Sequence, residues 1–315
     1  MTIMTIIHGD DVDGLTCGAF IKRVKGGEFY LANYDNLDNA LDKVKPSVDV
    51  LYICDLNVRD SLKPELERIN EFAEIYIIDH HQMTPEFKES LIELGVSIRL
   101  ETEDCAGMLV YDTFKEELGQ EGKRIAAYAA ISDMFEEGPI ADPILSRMDR
   151  KFVQHEAQLL THALNSDQSI EFKRMIMDEL SKYNYPHRIE GVVEKAIQCL
   201  EEMTKIKESI PENSEIIGRV AIMEATNDNS TGGISNLLID TLGVDVGISY
   251  KANEDYYNLS LRGEKDLHEH LGDISKKLGK KYNGFGGGHQ RASGIKIPKG
   301  NLKPLLDDLI HEING

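Results

Sequence analysis

The first hundred residues alternate between short apolar runs and segments whose apolar residues recur at helical spacing. The apolar runs have the length of strands and cover residues 3–7, 48–54, 74–78 and 96–100. Helical spacing marks residues 15–24 and 62–72 between them. Continuous apolar runs separated by helices are typical of parallel strands that are buried on both faces. The pattern therefore predicts an α/β fold built on a parallel sheet.

After Cys105 the apolar runs give way to helical periodicity. Residues 106–118 and 124–131 are predicted as helices, and 147–209 carry almost no strand signal. An apolar stripe over 189–206 predicts a connecting helix that is broken by residues 211–214, which begin with Pro211. A second module follows, with strands predicted at 216–223, 244–250 and 256–261 and helices at 234–242, 267–278 and 302–313.

These patterns predict two domains joined by a helix. Residues 1–186 are expected to form the larger domain with the parallel sheet, 187–213 a helical linker, and 214–315 a smaller mixed α/β domain. A chain of 315 residues is long enough for two cores of ordinary size.

The composition narrows the class of substrate and the compartment. Net charge is −20, from 35 basic against 55 acidic residues, which disfavours capture of long polyanions and favours a short substrate. The four cysteines lie far apart without a C-x-x-C pair, which argues against a zinc knuckle or a disulfide framework. The sequence has no run of about 18 apolar residues, and its N-terminus has no basic segment followed by an apolar stretch. We therefore expect a cytoplasmic protein with no membrane partner.

Acidic residues and histidines lie at the ends of three predicted strands. His8 precedes the cluster Asp10, Asp11 and Asp13, Asp55 closes the second buried run, and residues 79–81 read Asp-His-His. One acidic residue at a strand end is usually a turn former or a helix cap. Three such ends in a parallel sheet would form one crevice, where carboxylates and imidazoles suit Mn²⁺ or Mg²⁺.

A pair of divalent ions needs a bridging carboxylate and ligands from several segments. Asp55 is well placed to bridge, and Asp133, after the helix predicted at 124–131, is the natural last ligand. Because His80 and His81 are adjacent, only one easily faces a given metal, which leaves the other to hold substrate. The sequence thus predicts a two-metal hydrolase site.

A glycine-rich segment near the C-terminus is the second chemical signal. It runs from Gly284 through Gly287 and Gly288 to His289 and Arg291. Glycines in this number are tolerated where the chain approaches a ligand closely, and their N–H groups could cradle a phosphate. His289 and Arg291 add donors for phosphate. Arg262, at the end of the strand predicted at 256–261, is a further candidate for the same pocket or a surface arginine.

In this order along the chain, the motifs resemble the DHH superfamily of phosphoesterases and its glycine-rich associated C-terminal domain. The resemblance rests on His8 with the Asp11-Val12-Asp13-Gly14 run, Asp55, the 79–81 triplet, Asp133 and the segment 286–294. It implies an active site in the cleft between a DHH catalytic domain and a substrate-binding domain. It also implies two Mn²⁺ ions, with Mg²⁺ or Co²⁺ as alternatives.

The resemblance also implies roles for single residues. His8, Asp11 and Asp55 would hold one ion, and Asp13, Asp55, His80 and Asp133 the other. His81 would contact phosphate beside the catalytic Asp55, and the far end of the substrate would meet Gly287, Gly288, His289 and Arg291. Acids follow His8 at +2, +3 and +5, so Asp10 remains an alternative to Asp11.

Within the superfamily the chain looks most like nano-RNases and cyclic-dinucleotide phosphodiesterases. The expected activity is Mn²⁺-dependent hydrolysis of short oligonucleotides to 5′-mononucleotides. The alternatives are hydrolysis of pApA or a cyclic dinucleotide, a RecJ-like single-strand DNA exonuclease, and a nucleotide-binding module without catalysis. The expected partner is a short oligonucleotide or dinucleotide, and a homodimer is an open alternative.

Overall fold

The computed structural model describes residues 1–225 and 231–315. Its contacts divide the chain into two compact units, Met1–Cys199 and Leu200–Gly315. The domain bounds drawn from the sequence, 1–186 and 214–315 with a helical linker between them, stay a prediction.

The first unit begins with strands and helices in alternation and ends in helices alone. The alternating part comprises β1 Ile3–His8, α1 Val12–Val24, β2 Glu28–Ala32, α2 Leu37–Leu41, β3 Val50–Cys54, α3 Lys63–Asn70, β4 Glu74–Asp79, α4 Pro85–Glu93 and β5 Ser97–Leu100. The helical part comprises α5 Ala106–Thr113, α6 Lys115–Ser132, α7 Ala141–Leu145, α8 Arg150–Ser166, α9 Ile170–Ser181 and α10 Val192–Asn213, which continues into the second unit.

The sheet of the first unit has five parallel strands in the order β2-β1-β3-β4-β5. This confirms the predicted parallel sheet. Neighbouring residues point to opposite faces, so that Ile6 packs towards α2, α3 and α4, whereas Ile7 packs towards α1, α5 and α6. Helices on both faces explain why the strands are apolar without alternation. β2 was not predicted, although residues 29–32 are apolar; this short edge strand is only half buried.

The second unit is a mixed six-stranded sheet with helices on it, as the sequence predicts. Its elements are β6 Ser214–Ile217, β7 Val220–Glu224, α11 Thr231–Leu242, β8 Val246–Ala252, β9 Tyr256–Gly263, α12 Leu271–Lys281, β10 Phe285–Gly288, β11 Ala292–Pro298 and α13 Leu302–Asn314. The strand order is β10-β11-β9-β8-β7-β6. Only the β7–β8 pair is parallel among these neighbours.

One local prediction for this half is confirmed and one is wrong. Helix α10 includes Pro211 and ends at Asn213, within the break predicted at residues 211–214. The segment predicted as one strand at 216–223 forms the hairpin of β6 and β7, which turns at Gly218, where φ is +62°. The glycine-rich segment contains the edge strand β10, paired with β11.

None of the helices formed by the described residues is long and apolar enough to cross a lipid bilayer.

Candidate metal centre

The predicted ligands of the N-terminal half meet where the strand order reverses. β1 and β3 are neighbours, and the chain leaves them in opposite directions along the sheet, to β2 and to β4. Ligand sites of open parallel sheets form at this switch point, beyond the carboxyl ends of the strands. His8 ends β1, Asp55 follows β3 and Asp79 ends β4. The topology therefore gathers these side chains at one edge.

The first ligand group consists of His8, Asp11 and Asp55. Nδ1 of His8 lies 2.8 Å from Oδ2 of Asp11 and 3.5 Å from Oδ2 of Asp55. One ligand atom from each of the three residues lies within 4.8 Å of the others. Asp11 is held in place as the N-cap of α1, since it accepts a hydrogen bond from the backbone N–H of Gly14.

The second ligand group consists of Asp13, His80 and Asp133, and Asp55 touches it as well. Nε2 of His80 lies 3.3 Å from Oδ1 of Asp55, 3.6 Å from Oδ2 of Asp133 and 4.0 Å from Oδ2 of Asp13. Asp55 thus presents one oxygen to each group. The structure brings together all six residues that the sequence assigned to metal binding.

Several atoms at the centre of this cluster are buried without a well-aligned hydrogen-bond partner among the described residues. They include Nδ1 of His8, Oδ2 of Asp55 and Oδ2 of Asp133. Buried polar atoms are normally hydrogen-bonded, since an unpaired one costs about 1–3 kcal/mol. Oxygen and imidazole nitrogen are donors that Mn²⁺ and Mg²⁺ accept. The donor set therefore fits divalent cations.

The electrostatics of the cluster favour a compensating positive charge. Burial and the neighbouring carboxylates of Asp11 and Asp55 raise the pKa of Asp133 to about 7, although His80 opposes the shift. Burial and the charges of Asp55 and Asp133 also raise the pKa of Asp13. Burial opposes the charged form of His80, yet Asp55, Asp13 and Asp133 raise its pKa to about 9. The crowded carboxylates thus attract either protons or a cation.

The backbone of Asp55 adopts a strained conformation. Its φ is +60°, in the left-handed region that side chains rarely occupy, and Asn57 has a φ of +44°. Such a conformation costs of order 1 kcal/mol or more and persists where surrounding structure enforces it. A backbone N–H to carbonyl hydrogen bond of 3.2 Å ties Asp55 to Ile78 of β4. This backbone conformation places the Asp55 carboxylate at the sheet edge where the two ligand groups meet.

Asp13 is held through hydrogen bonds to both of its oxygens. It accepts from the backbone N–H of Ala106 at 2.9 Å and of Gly107 at 2.7 Å, at the start of α5. The carboxylate therefore also stabilises the N-terminus of that helix. Gly14 allows α1 to lie close to β1, since a Cβ atom there would be 2.0 Å from the carbonyl oxygen of His8. The Asp-Gly pair thus sets the distance between helix and strand.

Asp79 belongs to a third group of possible ligands, with Asp55, His80 and His81, but both of its oxygens already accept hydrogen bonds. Its Oδ1 lies 2.8 Å from Nδ1 of His81, and its two oxygens accept backbone N–H groups from Leu56, Asn57, His80 and His81. Burial opposes its charged form, but the contacts with His81 lower its pKa. A carboxylate only accepts, so His81 carries a proton on Nδ1 and directs Nε2 away from Asp79.

Neither ligand group includes Asp10. Its Oδ1 lies 2.6 Å from Nζ of Lys173, whose side chain is 8% exposed. This ion pair joins the start of α1 to α9, and it directs the Asp10 carboxylate to the ammonium group of Lys173. This geometry favours Asp11 as the ligand.

Sequence reasoning missed Tyr34, which follows β2. Its ring is stacked on that of His8, with centroids 4.5 Å apart and planes at 24°. Its hydroxyl lies 3.2 Å from Nε2 of His81. A lone aromatic residue in a loop carries no periodic signal, and only the topology shows that β2 lies beside β1.

A cavity of about 50 Å³ adjoins the centre and is lined in part by Asp13, Ser132, Asp133, Thr161 and Asn165. It is large enough for water, and its hydroxyl and amide groups can bind water. It lies entirely within the first unit.

The predicted substrate residues of the C-terminal half lie together within the second unit. Gly287 and Gly288 belong to β10, and His289 and Arg291 are exposed in the turn that leads to β11. Arg262 of β9 is paired with Ala292, and the backbone N–H of Gly263 donates to the carbonyl of Arg291. The structure thus places Arg262 beside this turn.

The C-terminal unit matches a known family. Residues 217–315 match the model of the DHHA1 domain. A search of curated proteins finds no significant match to the chain.

Solved structures show the same fold at low sequence identity. A DHH-domain protein described as a member of a family of ribosomal proteins is 18% identical with a TM-score of 0.71, over 99% of this chain and 86% of that one. The pGpG-specific phosphodiesterase PggH from Vibrio cholerae is 13% identical with a TM-score of 0.60, over 100% and 99%. RecJ from Thermus thermophilus, in complex with Mn²⁺, is 13% identical with a TM-score of 0.68, over 99% of this chain and 52% of RecJ.

Proposed function

We propose that this protein is a Mn²⁺-dependent phosphodiesterase that hydrolyses short oligonucleotides to 5′-mononucleotides. The observation that carries the proposal is the position of Asp55, whose two oxygens face two separate ligand groups. A shared carboxylate between two sets of oxygen and nitrogen donors is the arrangement that a pair of ions requires.

The residues that would hold the ions follow from the two groups. His8, Asp11 and Asp55 would hold one, and Asp13, Asp55, His80 and Asp133 the other. When bound, two such ions supply a water of lowered pKa and positive charge opposite the phosphoryl oxygens. The raised pKa values of Asp13 and Asp133 imply that both carboxyl groups lose their protons when they become ligands.

His81 is the residue proposed to contact the phosphate. Asp79 fixes its ring through Nδ1 and leaves Nε2 at the partly exposed side. In the doubly protonated ring, Nε2 can donate to a phosphoryl oxygen and stabilise the charge that develops there. Fixing the ring in advance lowers the cost of orienting it during the reaction.

The C-terminal domain is proposed to bind the rest of the substrate. Arg262, His289 and Arg291 offer cationic or neutral donors for phosphate near the glycines of β10. From Lys251 to Lys299 the chain has ten lysine and arginine residues against six acidic ones, in a protein of net charge −20. A basic patch on an acidic protein favours a short polyanion over a long one.

A second candidate is hydrolysis of a linear dinucleotide signal. It is favoured by the likeness to PggH, named as a pGpG-specific phosphodiesterase, since the two chains match over nearly their whole lengths. A structure named as exonuclease RecJ also matches, over 99% of this chain and 90% of that one, so RecJ-like exonuclease activity is a further alternative. Both candidates use the same metal centre and differ in the substrate alone.

The test is turnover of 5′-phosphorylated RNA and DNA of two to about twenty nucleotides with Mn²⁺, together with pApA, pGpG and cyclic dinucleotides. We expect cleavage of the shortest RNAs, with Asp55→Asn more than about 100-fold slower. Turnover of dinucleotides alone would favour the second candidate. Turnover that survives in Asp55→Asn, or none with any divalent ion, would refute the metal mechanism.

A further inference from the structure

A groove of about 790 Å³ lies on the face of the C-terminal sheet that carries α13. One wall is the first part of α13, and the other wall consists of the outer strands β6, β7 and β8. All of its lining residues lie within the second unit. The groove is therefore a feature of the C-terminal domain and includes none of the candidate metal ligands.

Helix α13 carries two apolar stripes. One is fully buried in the core of the domain and consists of Leu305, Leu309 and Ile313. The other is half buried, lines the groove and consists of Leu302, Leu306 and Ile310. Because residues four apart lie on the same side of a helix, the second stripe is continuous over about 12 Å. A surface helix docks on its own sheet through one stripe, so the second stripe can contact a partner.

The strands of the other wall combine apolar side chains with carboxylates. Glu215 and Ile217 of β6 lie on the same face as Ile222 of β7, because side chains alternate along a strand and Glu215 is paired with Ile222. Tyr250 of β8 is paired with Glu224 at the end of β7. Ile217 and Tyr250 are half buried, whereas both carboxylates are exposed. The wall is thus apolar where it is buried and acidic where it meets solvent.

The charged side chains of the groove are mainly carboxylates, with Lys303 as a basic exception. The carboxylates are Glu212, Glu215, Glu224 and Asp307. Among the described residues, none of these four forms an ion pair. By contrast, the carboxylates of α13 that face α12 are paired, Asp308 with Lys281 and Glu312 with Lys277. The unpaired negative charge of α13 therefore lies on its groove side.

The carboxylates of the strands also act on Tyr250. Burial raises the pKa of its hydroxyl, and the charges of Glu224 and Glu215 add to the rise. Two negative charges thus lie close to a half-buried phenol. A cation bound in the groove would offset their repulsion, while the apolar side chains exclude water from the contact.

An apolar groove with an unpaired acidic rim is complementary to a basic amphipathic helix. Such helices lay an apolar face into a groove and keep their charged residues at its rim. Pockets for small ligands enclose most of the ligand surface, whereas the rim of this groove is formed by exposed side chains. A second copy of the chain also has a net charge of −20 and the same acidic groove, so like charges oppose that pairing.

We propose that the groove between α13 and the strands β6, β7 and β8 docks a basic amphipathic helix of a partner protein. The apolar residues of that helix contact Leu306 and Ile217, and its lysine or arginine residues pair with Glu215, Glu224 and Asp307. This docking goes beyond the proposed function, because it tethers the protein to another one without using the metal centre.

Fluorescence anisotropy of labelled peptides, titrated with the full-length protein, measures this docking. The probe is a helical peptide of about twelve residues, with leucine on one face and lysine on the other. One matched peptide has glutamate in place of lysine, and a second has serine in place of leucine. Wild type should bind the leucine–lysine peptide at least about 10-fold more tightly than either matched peptide.

Substitutions separate the rim from the apolar wall. Glu215→Lys combined with Glu224→Lys should weaken the leucine–lysine peptide at least about 10-fold and leave the melting temperature unchanged, since both carboxylates are exposed and unpaired. Ile217→Ser, on the half-buried edge strand, should weaken it about 5-fold or more. Glu254→Lys combined with Asp266→Lys is the matched control. It makes the same change in net charge at exposed positions outside the groove and should leave the affinity within about 2-fold.

A photoreactive group on the peptide locates the site, and its cross-links should fall within residues 212–224 or 302–310. Failure of wild type to bind the leucine–lysine peptide would overturn the proposal. Equal weakening by the two charge reversals, or cross-links elsewhere, would show general attraction to an acidic protein and would also overturn it. So would a wild-type dimer in sedimentation that Glu215→Lys with Glu224→Lys dissociates, because the groove would then belong to a second copy. These readouts do not depend on turnover.

Discussion

Nδ1 of His81 lies 2.8 Å from Oδ1 of Asp79, a carboxylate that also accepts four backbone N–H groups. One buried side chain thus fixes the Asp-His-His segment and the turn after β3. Because His80 and Asp55 lie on those two segments, the geometry of the candidate metal centre depends on a residue outside the His8 and Asp13 ligand groups.

Asp79→Asn should therefore weaken both the fold and Mn²⁺ binding. The amide nitrogen cannot accept hydrogen bonds, so at least two buried donors lose their partner, a cost of about 2–4 kcal/mol. Loss of such support for metal ligands typically lowers affinity about 10- to 100-fold. Urea unfolding and calorimetric titration with Mn²⁺ measure the two effects. Glu89→Gln, a change on α4, is the control, and an unchanged Mn²⁺ affinity in Asp79→Asn would contradict the supporting role.

The neighbouring carboxylates Asp10 and Asp11 should respond in opposite ways to the same substitution. Asp11→Asn should lower Mn²⁺ affinity by at least about 10-fold, because it removes a ligand. Asp10→Asn should leave that affinity within about 3-fold and cost roughly 1–2 kcal/mol of stability through the loss of the Lys173 pair. Calorimetry and urea unfolding of both variants decide the matter. The reverse pattern would make Asp10 the ligand.

Tyr34 should act through its hydroxyl and its ring separately. Tyr34→Phe keeps the stack on His8 but loses the hydrogen bond to His81, so we expect an unchanged melting temperature and about 10-fold lower kcat with KM nearly constant. Tyr34→Leu should also lose the stack and lower the melting temperature. Steady-state kinetics with the shortest cleaved RNA, alongside thermal unfolding, measure these effects. Equal kinetics of Tyr34→Phe and wild type would exclude a role for the hydroxyl.

The pair Asp167–Lys195 should make stability depend on acid pH. Hydrogen bonds from Lys195 and Ser169 lower the pKa of Asp167 to about 2, and the ion pair measures 2.5 Å. Because the folded pKa is below the ordinary value of 3.8, the stabilisation is complete above about pH 4 and is lost as pH falls towards 2. The shift corresponds to about 2.5 kcal/mol at most, and screening at this partly exposed pair reduces it to about 1 kcal/mol.

Asp167→Asn should therefore be about 1 kcal/mol less stable than wild type at pH 7, with a gap that shrinks between about pH 4 and 2. Urea unfolding at several pH values measures the gap, and Lys195→Met should reproduce it. A gap that stays constant down to about pH 2 would show that the ion pair is not its source.

Strong local signals made most of the fold predictable. The buried strands β1, β3 and β4 are apolar on both faces, and the residues at their ends indicate one candidate metal centre because parallel strands end at one edge. The strand β10 was missed because glycine disfavours strands, and its extended form is imposed by packing against α12. Tyr34 and the Lys173 partner of Asp10 depend on contacts between distant segments, which no local pattern contains.

The residues of the candidate metal centre are synthesised in a fixed order. When synthesis reaches Leu100, the chain contains all five strands of the first sheet, and with them His8, Asp11 and Asp55. Asp133, at the end of α6, and the N-terminus of α5 that holds Asp13 are not yet made. All three residues of the first ligand group are therefore synthesised before the second group has all of its residues. Synthesis from the N-terminus therefore supplies every residue of the first group before Asp133 of the second.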